Sequence, residues 1–416
     1  MSKENSDFFK KKNRWSAIKD ELLKCYLAPY FQKVLMTKKP IFYVDCFAGQ
    51  GKFEDGSNGS PLIALEVREK SLIQTTRNDL KGAIKIAFIE LNYADLLQKN
   101  IDGMIITGDK PEVIQGKYEE QIENLLKDKG GQNVFLYIDP YGIKALDSTL
   151  FDKFESFGLS TFEMLINFNS FGFFRDACRV MRVDVSKDVT FTDLEDLIEY
   201  DATQVKSDSD SEKLLTNIAG GDYWKNIVED YKNGKIDGYK AEKRLSTEYK
   251  QRLKQRYSYV LDLPIRLKAN QRPKYRMIHV CDHEDGCYLM AENMQRRKDE
   301  LFLNIQNDGQ LSLFDFDSTV SKTTEGEMVT KDEIKDKIRV FLKNAKGDLR
   351  IKKFLAGFCN EYGLLCDFKM MHEILEQMDT AEELEIVRNP ATNSRGKSRF
   401  WDEKNGQTVT IRRLTK

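Results

Sequence analysis

Residues 43–51 read YVDCFAGQG, and this stretch decides the fold of the chain. An apolar run that begins at Ile41 ends at Asp45 and leads into a turn with two glycines, which predicts a short buried strand followed by a tight loop. Ser60 and Pro61 then begin a helix, with serine at the N-cap and proline at the first helical position. A strand, a glycine-rich turn and a helix in this order allow the backbone to approach a nucleotide-like ligand closely.

Apolar stretches followed by acidic residues recur along the first two-fifths of the chain. They are 41–44 before Asp45, 84–89 before Glu90, 105–107 before Gly108 and Asp109, and 134–138 before Asp139, with a fifth strand expected over 162–168. Apolar strands separated by helical patterns predict a parallel sheet that is covered on both faces. The first of these helices has Ile18, Leu22, Leu23 and Tyr26 on one face and is expected to end near Pro29.

Strands that end in acids at one edge of a sheet suit a nucleoside without phosphates, since a dinucleotide would need a longer glycine fingerprint. Glu90 is placed to accept from ribose hydroxyls, Asp109 from an adenine amine, and Asp139 lies beside the reacting group. The pattern therefore predicts an S-adenosylmethionine site. Its residues are Asp45, Phe47, Gly49, Gly51, Glu90 and Asp109. The alternative is that these acids are solvated strand ends.

The sequence Asp139-Pro140-Tyr141-Gly142 partly matches the Asp-Pro-Pro-Tyr tetrad of amino-methyltransferases. In that chemistry the acid and a backbone carbonyl accept from an exocyclic amine, and the aromatic ring stacks on the flipped base. Here the second proline is missing and the aromatic residue stands one place early. Asp139, Pro140 and Tyr141 are therefore candidate acceptor-site residues, with a structural turn as the alternative.

The remainder of the chain predicts a helical insertion, a linker and a second domain. The segment at about 184–250 is charged and helical and is interpreted as an insertion in a Rossmann-like domain over 1–303. Residues 304–329 are polar and predict a flexible linker, and Thr330 with Glu333 forms a capping box. Three helices, strand-like pieces over 384–388 and 399–401, and a last strand over 408–412 predict a winged-helix-like domain over 330–416.

Three segments are candidates for partner contacts. A basic run interleaved with tyrosines includes Arg252, Lys254 and Arg256, and the proposed wing carries Arg395, Lys397 and Arg399. Both patterns are typical of nucleic-acid contacts, although solvated helix faces or protein contacts would also produce them. The linker peptide QLSLF, with Gln310, Leu313 and Phe314, resembles the short motif that docks on the bacterial sliding clamp; the alternative is that it packs on the protein itself.

Composition limits the remaining possibilities. The 416 residues have a formal net charge of -1, so nucleic-acid binding must depend on local basic patches. Seven cysteines without a CxxC pair predict reduced thiols and a cytoplasmic location. With three histidines, and Cys281, His283 and Cys287 as the nearest cluster, no metal site is expected. No apolar run approaches the ~18 residues of a membrane span.

Several of these motifs together resemble the three-Cys-motif partner family, TcmP, over roughly the first 300 residues. They are 15–19 with 25–27, the loop 45–51, the GSPL sequence at 59–62, and the segments at 88–90, 108–109 and 138–142. The resemblance implies a bacterial class I methyltransferase-like protein encoded beside a three-cysteine-motif partner. The resemblance leaves the substrate open. The acidic strand ends and the motif at 139–142 predict a nucleic-acid base methyltransferase of the amino-methyltransferase type, and a non-catalytic accessory protein of a defence or repair system is the alternative.

Overall fold

The computed structural model describes residues 12, 14–77, 83–186, 188, 208–266, 273–306, 320–404 and 406–414. The chain divides into two compact units, Met1–Asp282 and His283–Lys416. The division falls about twenty residues before the boundary expected at 303, because the helix that follows residue 283 belongs to the second unit.

The first unit is built on one seven-stranded sheet. Its strands are β1 (Ile41–Asp45), β2 (Ile84–Glu90), β3 (Glu112–Gln115), β4 (Asn133–Ile138), β5 (Thr161–Phe168), β6 (Tyr259–Ile265) and β7 (Tyr275–Cys281). They lie in the order β3-β2-β1-β4-β5-β7-β6, with β1 to β5 parallel and β7 antiparallel to both of its neighbours. This mixed α/β architecture fits a Rossmann-like methyltransferase, as predicted. The order reverses between β1 and β4, and a crevice at that point is where open α/β sheets bind ligands.

Nine α-helices of the first unit lie within the described residues. They are α1 (Arg14–Leu35), α2 (Ser60–Arg77), α3 (Ala94–Asp102), α4 (Tyr118–Lys127), α5 (Ser148–Phe154), α6 (Ser170–Val180), α7 (Asp208–Ala219), α8 (Tyr223–Lys232) and α9 (Gly238–Lys254). The last three lie in the segment interpreted as a helical insertion, and their apolar faces, including Leu215, Trp224 and Leu245, join the core beside β5.

Helix α1 does not end near Pro29, so that prediction was wrong. The helix continues to Leu35 with Pro29 inside it, although proline removes one backbone donor. Tyr30, Phe31 and Leu35 are almost completely buried, and the apolar surface that they remove from water offsets the lost hydrogen bond.

The third strand was also predicted in the wrong place. Residues 105–107 lie in a loop, and the side chain of Ile105 is 88% exposed. The strand is Glu112–Gln115, which pairs with residues 87–90 of β2 at the edge of the sheet. An edge strand of four half-buried or exposed residues carries a weak apolar signal, so the nearby run of isoleucines was mistaken for it. Asp109 therefore precedes β3 instead of following it.

The second unit contains four helices and two small sheets within its described residues. The elements are α10 (Glu284–Gln306), β8 (Val320–Lys322), β9 (Met328–Thr330), α11 (Lys331–Asn344), β10 (Leu349–Arg350), α12 (Ile351–Tyr362), α13 (Phe368–Thr380), β11 (Leu384–Asn389) and β12 (Thr408–Arg413). Three strands form an antiparallel sheet in the order β10-β12-β11, and β8 pairs with β9. The capping box between Thr330 and Glu333 is present as predicted.

The predicted linker and one predicted strand need correction. Residues 304–306 extend α10, and 320–330 form the β8–β9 hairpin, whose strands of three residues are too short to give a periodic pattern. Gln310, Leu313 and Phe314 lie outside the described residues. Residues 399–401 form no strand. Trp401 stacks on His372 of α13, with ring centroids 4.2 Å apart.

Candidate functional site

A cavity of about 410 Å³ opens at the carboxyl edge of the sheet in the first unit. Residues that follow β1, β2, β3 and β4 line it. They include Cys46, Phe47, Glu90, Asn92, Tyr93, Gly116, Lys117, Tyr118, Pro140, Tyr141 and Ala145. The predicted residues Phe47, Glu90, Pro140 and Tyr141 are thus brought together, because the parallel strands all end at this edge.

Glu90 organises the loops around this first cavity. One of its carboxylate oxygens accepts from the amide of Gly49 at 2.7 Å, and the other accepts from the amides of Asn92 at 2.8 Å and Tyr93 at 3.2 Å. The side chain is 7% exposed. These bonds use three of the roughly four lone-pair sites of a carboxylate, so one remains for a ligand.

Asp45 is fully buried and lines neither this cavity nor a smaller one that adjoins it. Its carboxylate accepts from the amide of Phe47 at 3.2 Å and from the hydroxyl of Ser60 at 2.6 Å, which joins the loop to the start of α2. Burial raises the pKa of Asp45 to about 7, against the opposing effect of these two hydrogen bonds. The structure therefore gives Asp45 a supporting position behind the loop.

Asp109 lies outside both cavities. Its backbone carbonyl accepts from the guanidinium of Arg68 on α2 at 2.8 Å. The residues that follow β3 at the first cavity are instead 116–119, which the sequence did not single out.

Gly49 and Gly51 both adopt left-handed backbone conformations, with φ of 61° and 79°. A Cβ on Gly51 would also lie 2.8 Å from Cδ1 of Leu97. We expect Gly51→Ala to destabilise the protein by about 1–3 kcal/mol, because it combines backbone strain with a clash. Gly56→Ala is the matched control, since Gly56 has φ of 86° and open space around its Cα. If urea unfolding shows that Gly51→Ala and Gly56→Ala lower the free energy of unfolding equally, the Leu97 contact is unimportant.

A second, smaller cavity of about 90 Å³ adjoins the first and shares Phe47, Pro140 and Tyr141 with it. Its other walls are mostly polar. They include Ser16, Lys19 and Asp20 of α1, Lys52, Asp139, Asn167, Asn169, Lys274 and Tyr275. Tyr141 is 47% exposed, so its ring is accessible where the two cavities meet.

Asp139 is held by an ion pair and two further hydrogen bonds at this second cavity. The ammonium of Lys19 lies 2.8 Å from both carboxylate oxygens, the amide nitrogen of Asn167 donates at 2.7 Å, and the hydroxyl of Tyr137 donates at 3.2 Å. Nearby, Asp20 forms an ion pair with Lys12 at 2.6 Å, and burial raises the pKa of Asp20 to about 6. The site is therefore a preformed network of opposite charges.

Sequence reasoning missed the contribution of α1. Lys19 precedes Leu22, Leu23 and Tyr26 by three, four and seven residues, so it lies on the buried face of its own helix. A lysine within an apolar stripe is the signal that could have revealed the role of α1 at the site, because a buried ammonium requires a partner.

The basic run near the end of α9 is largely occupied by contacts within the first unit. Arg252 forms an ion pair with Asp152 of α5, and Arg256 lies 3.6 Å from the same carboxylate. Lys254 is half-buried. Tyr249 and Tyr257 are buried, and the ring of Tyr249 stacks on that of Phe168, with the ring centroids 4.4 Å apart. These two tyrosines therefore belong to the core, and their rings are not exposed for stacking on bases.

The basic residues between β11 and β12 are on the surface. Arg395, Lys397 and Arg399 are exposed. The amides of Arg395 and Lys397 both donate to the side-chain oxygen of Asn393 at 3.0 Å, which fixes the turn that carries them. Arg399 lies 3.8 Å from Glu376 of α13.

The described residues offer no metal-binding cluster and no membrane-spanning helix. No group of three or more His, Cys, Asp or Glu side chains there is placed to hold a metal ion, and Cys281 and Cys287 are buried in β7 and α10. None of the helices in the described part of the chain combines the length and apolar character that a membrane span requires.

No family model and no curated protein matches the sequence. Among solved structures, the chain is similar to the plantazolicin methyltransferase BamL in complex with a triazolic desmethylPZN analog and SAH. The match has 10% identity and a TM-score of 0.28, and it covers 67% of this chain and 89% of that chain.

Proposed function

We propose that the chain is an S-adenosylmethionine-dependent methyltransferase that acts on a base of a nucleic acid. The observation that carries this proposal is the pair of adjoining cavities at the carboxyl edge of a methyltransferase-like sheet. One is walled by Phe47, Glu90 and Tyr118, and the other holds Asp139.

The first cavity suits a nucleoside. Its volume of about 410 Å³ lies in the usual range for small ligands, roughly 300–1,000 Å³. Phe47, Ile89, Tyr118, Pro140 and Ala145 provide apolar walls for a planar ring. Glu90 keeps a free lone-pair site for a ribose hydroxyl, and its negative charge disfavours a pyrophosphate, as in a dinucleotide.

The residues divide into two roles under this proposal. When bound, S-adenosylmethionine supplies a methyl group carried on a positively charged sulfur. Phe47, Glu90 and Tyr118 would hold the adenosine portion, while Asp45 and the backbone of Gly49 and Gly51 shape the loop beside it. The ring of Tyr141 is exposed where the cavities meet and is available to stack on an incoming base.

The second unit supports a polynucleotide substrate. Its α11–β10–α12–α13–β11–β12 order and its three-stranded sheet are consistent with a winged helix, whose wing is the loop between β11 and β12. Arg395 and Lys397 are exposed on a turn that Asn393 fixes, which suits contact with phosphates. In contrast, α13 carries Glu373 and Glu376, which disfavours insertion into a groove.

Replacing both Arg395 and Lys397 by alanine should weaken DNA or RNA binding at low salt. Each lost phosphate contact should reduce the slope of log affinity against log salt by about 1. The matched control is Arg412→Ala, since Arg412 is exposed in the same unit but paired with Asp348 and Glu385. An unchanged salt slope in the double variant, measured by fluorescence anisotropy, would exclude the wing from binding.

The proposed activity is tested by incubating the protein with tritiated S-adenosylmethionine and separate pools of DNA, RNA and protein. We expect label in a nucleic-acid pool, and loss of that label in Tyr141→Ala. Transfer to the protein pool alone would contradict the substrate class.

A second candidate function is a nucleic-acid or partner-binding accessory protein that performs no turnover. The specific observation in its favour is the Lys19–Asp139 pair, because it occupies the carboxylate that the amino-methyltransferase motif would use. Biological function that survives replacement of both Asp45 and Asp139 would favour this candidate.

Three further proposals concern family and partners. They are membership of the TcmP family, a three-cysteine-motif partner, and clamp docking through Leu313 and Phe314. Copurification with the partner, and loss of clamp association when both residues are replaced by alanine, would test them.

A further inference from the structure

The carboxylate of Asp139 has no capacity left for a substrate. Lys19 donates to both oxygens, and Asn167 and Tyr137 donate to one oxygen each. Four accepted hydrogen bonds use the roughly four lone-pair sites of a carboxylate. Recognition of a donor group at this cavity therefore requires a different acceptor.

Asn167 carries an acceptor atom without a partner at this cavity. Its side chain is 2% exposed and lines the second cavity, and its Oδ1 has no hydrogen-bond partner in the described part of the chain. The orientation of the amide is fixed by its neighbour, because a carboxylate only accepts hydrogen bonds and so selects the Nδ2 side. Lys19 holds Asp139 in place, and Asp139 binds Nδ2 of Asn167. The Oδ1 atom of Asn167 therefore faces away from Asp139 and has no hydrogen-bond partner in the described part of the chain.

We propose that Asn167, and not Asp139, accepts the hydrogen bond from the exocyclic amino group of the base that enters the second cavity. This inference rests on the proposed function and narrows it to bases that carry an amine. A buried acceptor without a partner is unfavourable, and a ligand that donates to it removes that penalty. Exocyclic amines of adenine, cytosine and guanine combine a hydrogen-bond donor with an atom that can receive a methyl group, whereas thymine has no such amine.

The test compares nucleosides that differ only in the amine. The full-length protein is saturated with S-adenosylhomocysteine, so that the first cavity is occupied, and is titrated by ligand-observed NMR. The probes are adenosine against purine riboside, and cytidine against 2-pyrimidinone riboside. We expect the amine to improve affinity about tenfold in at least one pair.

Two variants assign this preference to Asn167. Asn167→Leu should reduce the ratio of affinities to about one while S-adenosylhomocysteine still binds, because Asn167 does not line the first cavity. Tyr137→Phe is the matched control, since it also removes one hydrogen bond to Asp139 but leaves Oδ1 of Asn167 intact. In that variant the preference for the amine should persist.

The outcomes separate this inference from the function on which it rests. If folded protein does not bind S-adenosylhomocysteine, both fall. Three results with protein that does bind S-adenosylhomocysteine overturn only the role of Asn167. The amine-bearing and amine-free nucleosides bind equally in both pairs, none of the four nucleosides binds, or Asn167→Leu keeps the preference for the amine. The comparison on the unchanged protein does not depend on the folding of any variant.

Discussion

Replacement of Arg276 by methionine is expected to lower the free energy of unfolding by about 3–5 kcal/mol. Arg276 is 1% exposed in β7. Its guanidinium donates twice to Glu242 at 2.7 Å and once to Asp262 at 2.8 Å, and Lys250 pairs with the other oxygen of Asp262. Methionine fills most of the volume but leaves the buried charge of Glu242 without its partner. Urea unfolding measures the loss.

The control for Arg276 is Arg244→Met, because Arg244 pairs with Asp230 at 2.7 Å on the surface, where its side chain is 45% exposed. Exposed pairs contribute about 0–1 kcal/mol, so the control should be nearly neutral. Similar losses in the two variants would contradict the account of the buried network.

The pH dependence of the Arg276 effect has a definite sign. Burial alone would raise the pKa of Asp262, but the charges of Lys250 and Arg276 hold that pKa well below its usual value of 3.8. Because the pKa of Asp262 is lower in the folded than in the unfolded state, its ion pairs with Lys250 and Arg276 stabilise the fold above about pH 3.8. This contribution to the free energy of unfolding is lost as the pH falls below that value. The difference between wild type and Arg276→Met should therefore narrow under strongly acidic conditions.

Replacement of Glu90 by alanine is expected to weaken binding of S-adenosylhomocysteine about 100-fold, or by about 2.7 kcal/mol. The change removes the carboxylate proposed to accept from the ribose, and it also releases the amides of Gly49, Asn92 and Tyr93. The loop after β1 and the loop after β2 would lose their common anchor. Calorimetric titration measures the affinity.

Glu119→Ala controls for charge in the Glu90 experiment, because Glu119 lines the same cavity but is exposed. It should change the affinity by less than about threefold. A Glu90→Ala protein with wild-type affinity would show that the first cavity does not hold the nucleoside through this carboxylate.

The sequence predicted β1, β2, β4 and β5 well, because each is a short apolar run that ends where an acid or a turn begins. It also predicted that Glu90 and Asp139 would lie at the same edge of the sheet, which follows from parallel strands, although the two carboxylates line different cavities. The capping box at Thr330 was equally readable, since its two residues are only three positions apart. Local patterns were sufficient for these features.

Features that depend on distant parts of the chain were not predictable in the same way. Lys19 and Asp139 are 120 positions apart, so no spacing rule connects them. The passage of α1 through Pro29 depends on burial against the sheet, which overrides the preference of proline. The tyrosines beside Arg252 looked like a binding surface because a sequence does not show which side of α9 faces the core.

The central claim is that the first cavity binds an adenosine-containing methyl donor, and calorimetric titration of the intact protein with S-adenosylhomocysteine tests it most directly. The account predicts saturable binding at one site per chain, weakened in Glu90→Ala and retained in Glu119→Ala. The absence of binding at millimolar ligand, by a sample that unfolds cooperatively in urea and is therefore folded, would contradict it.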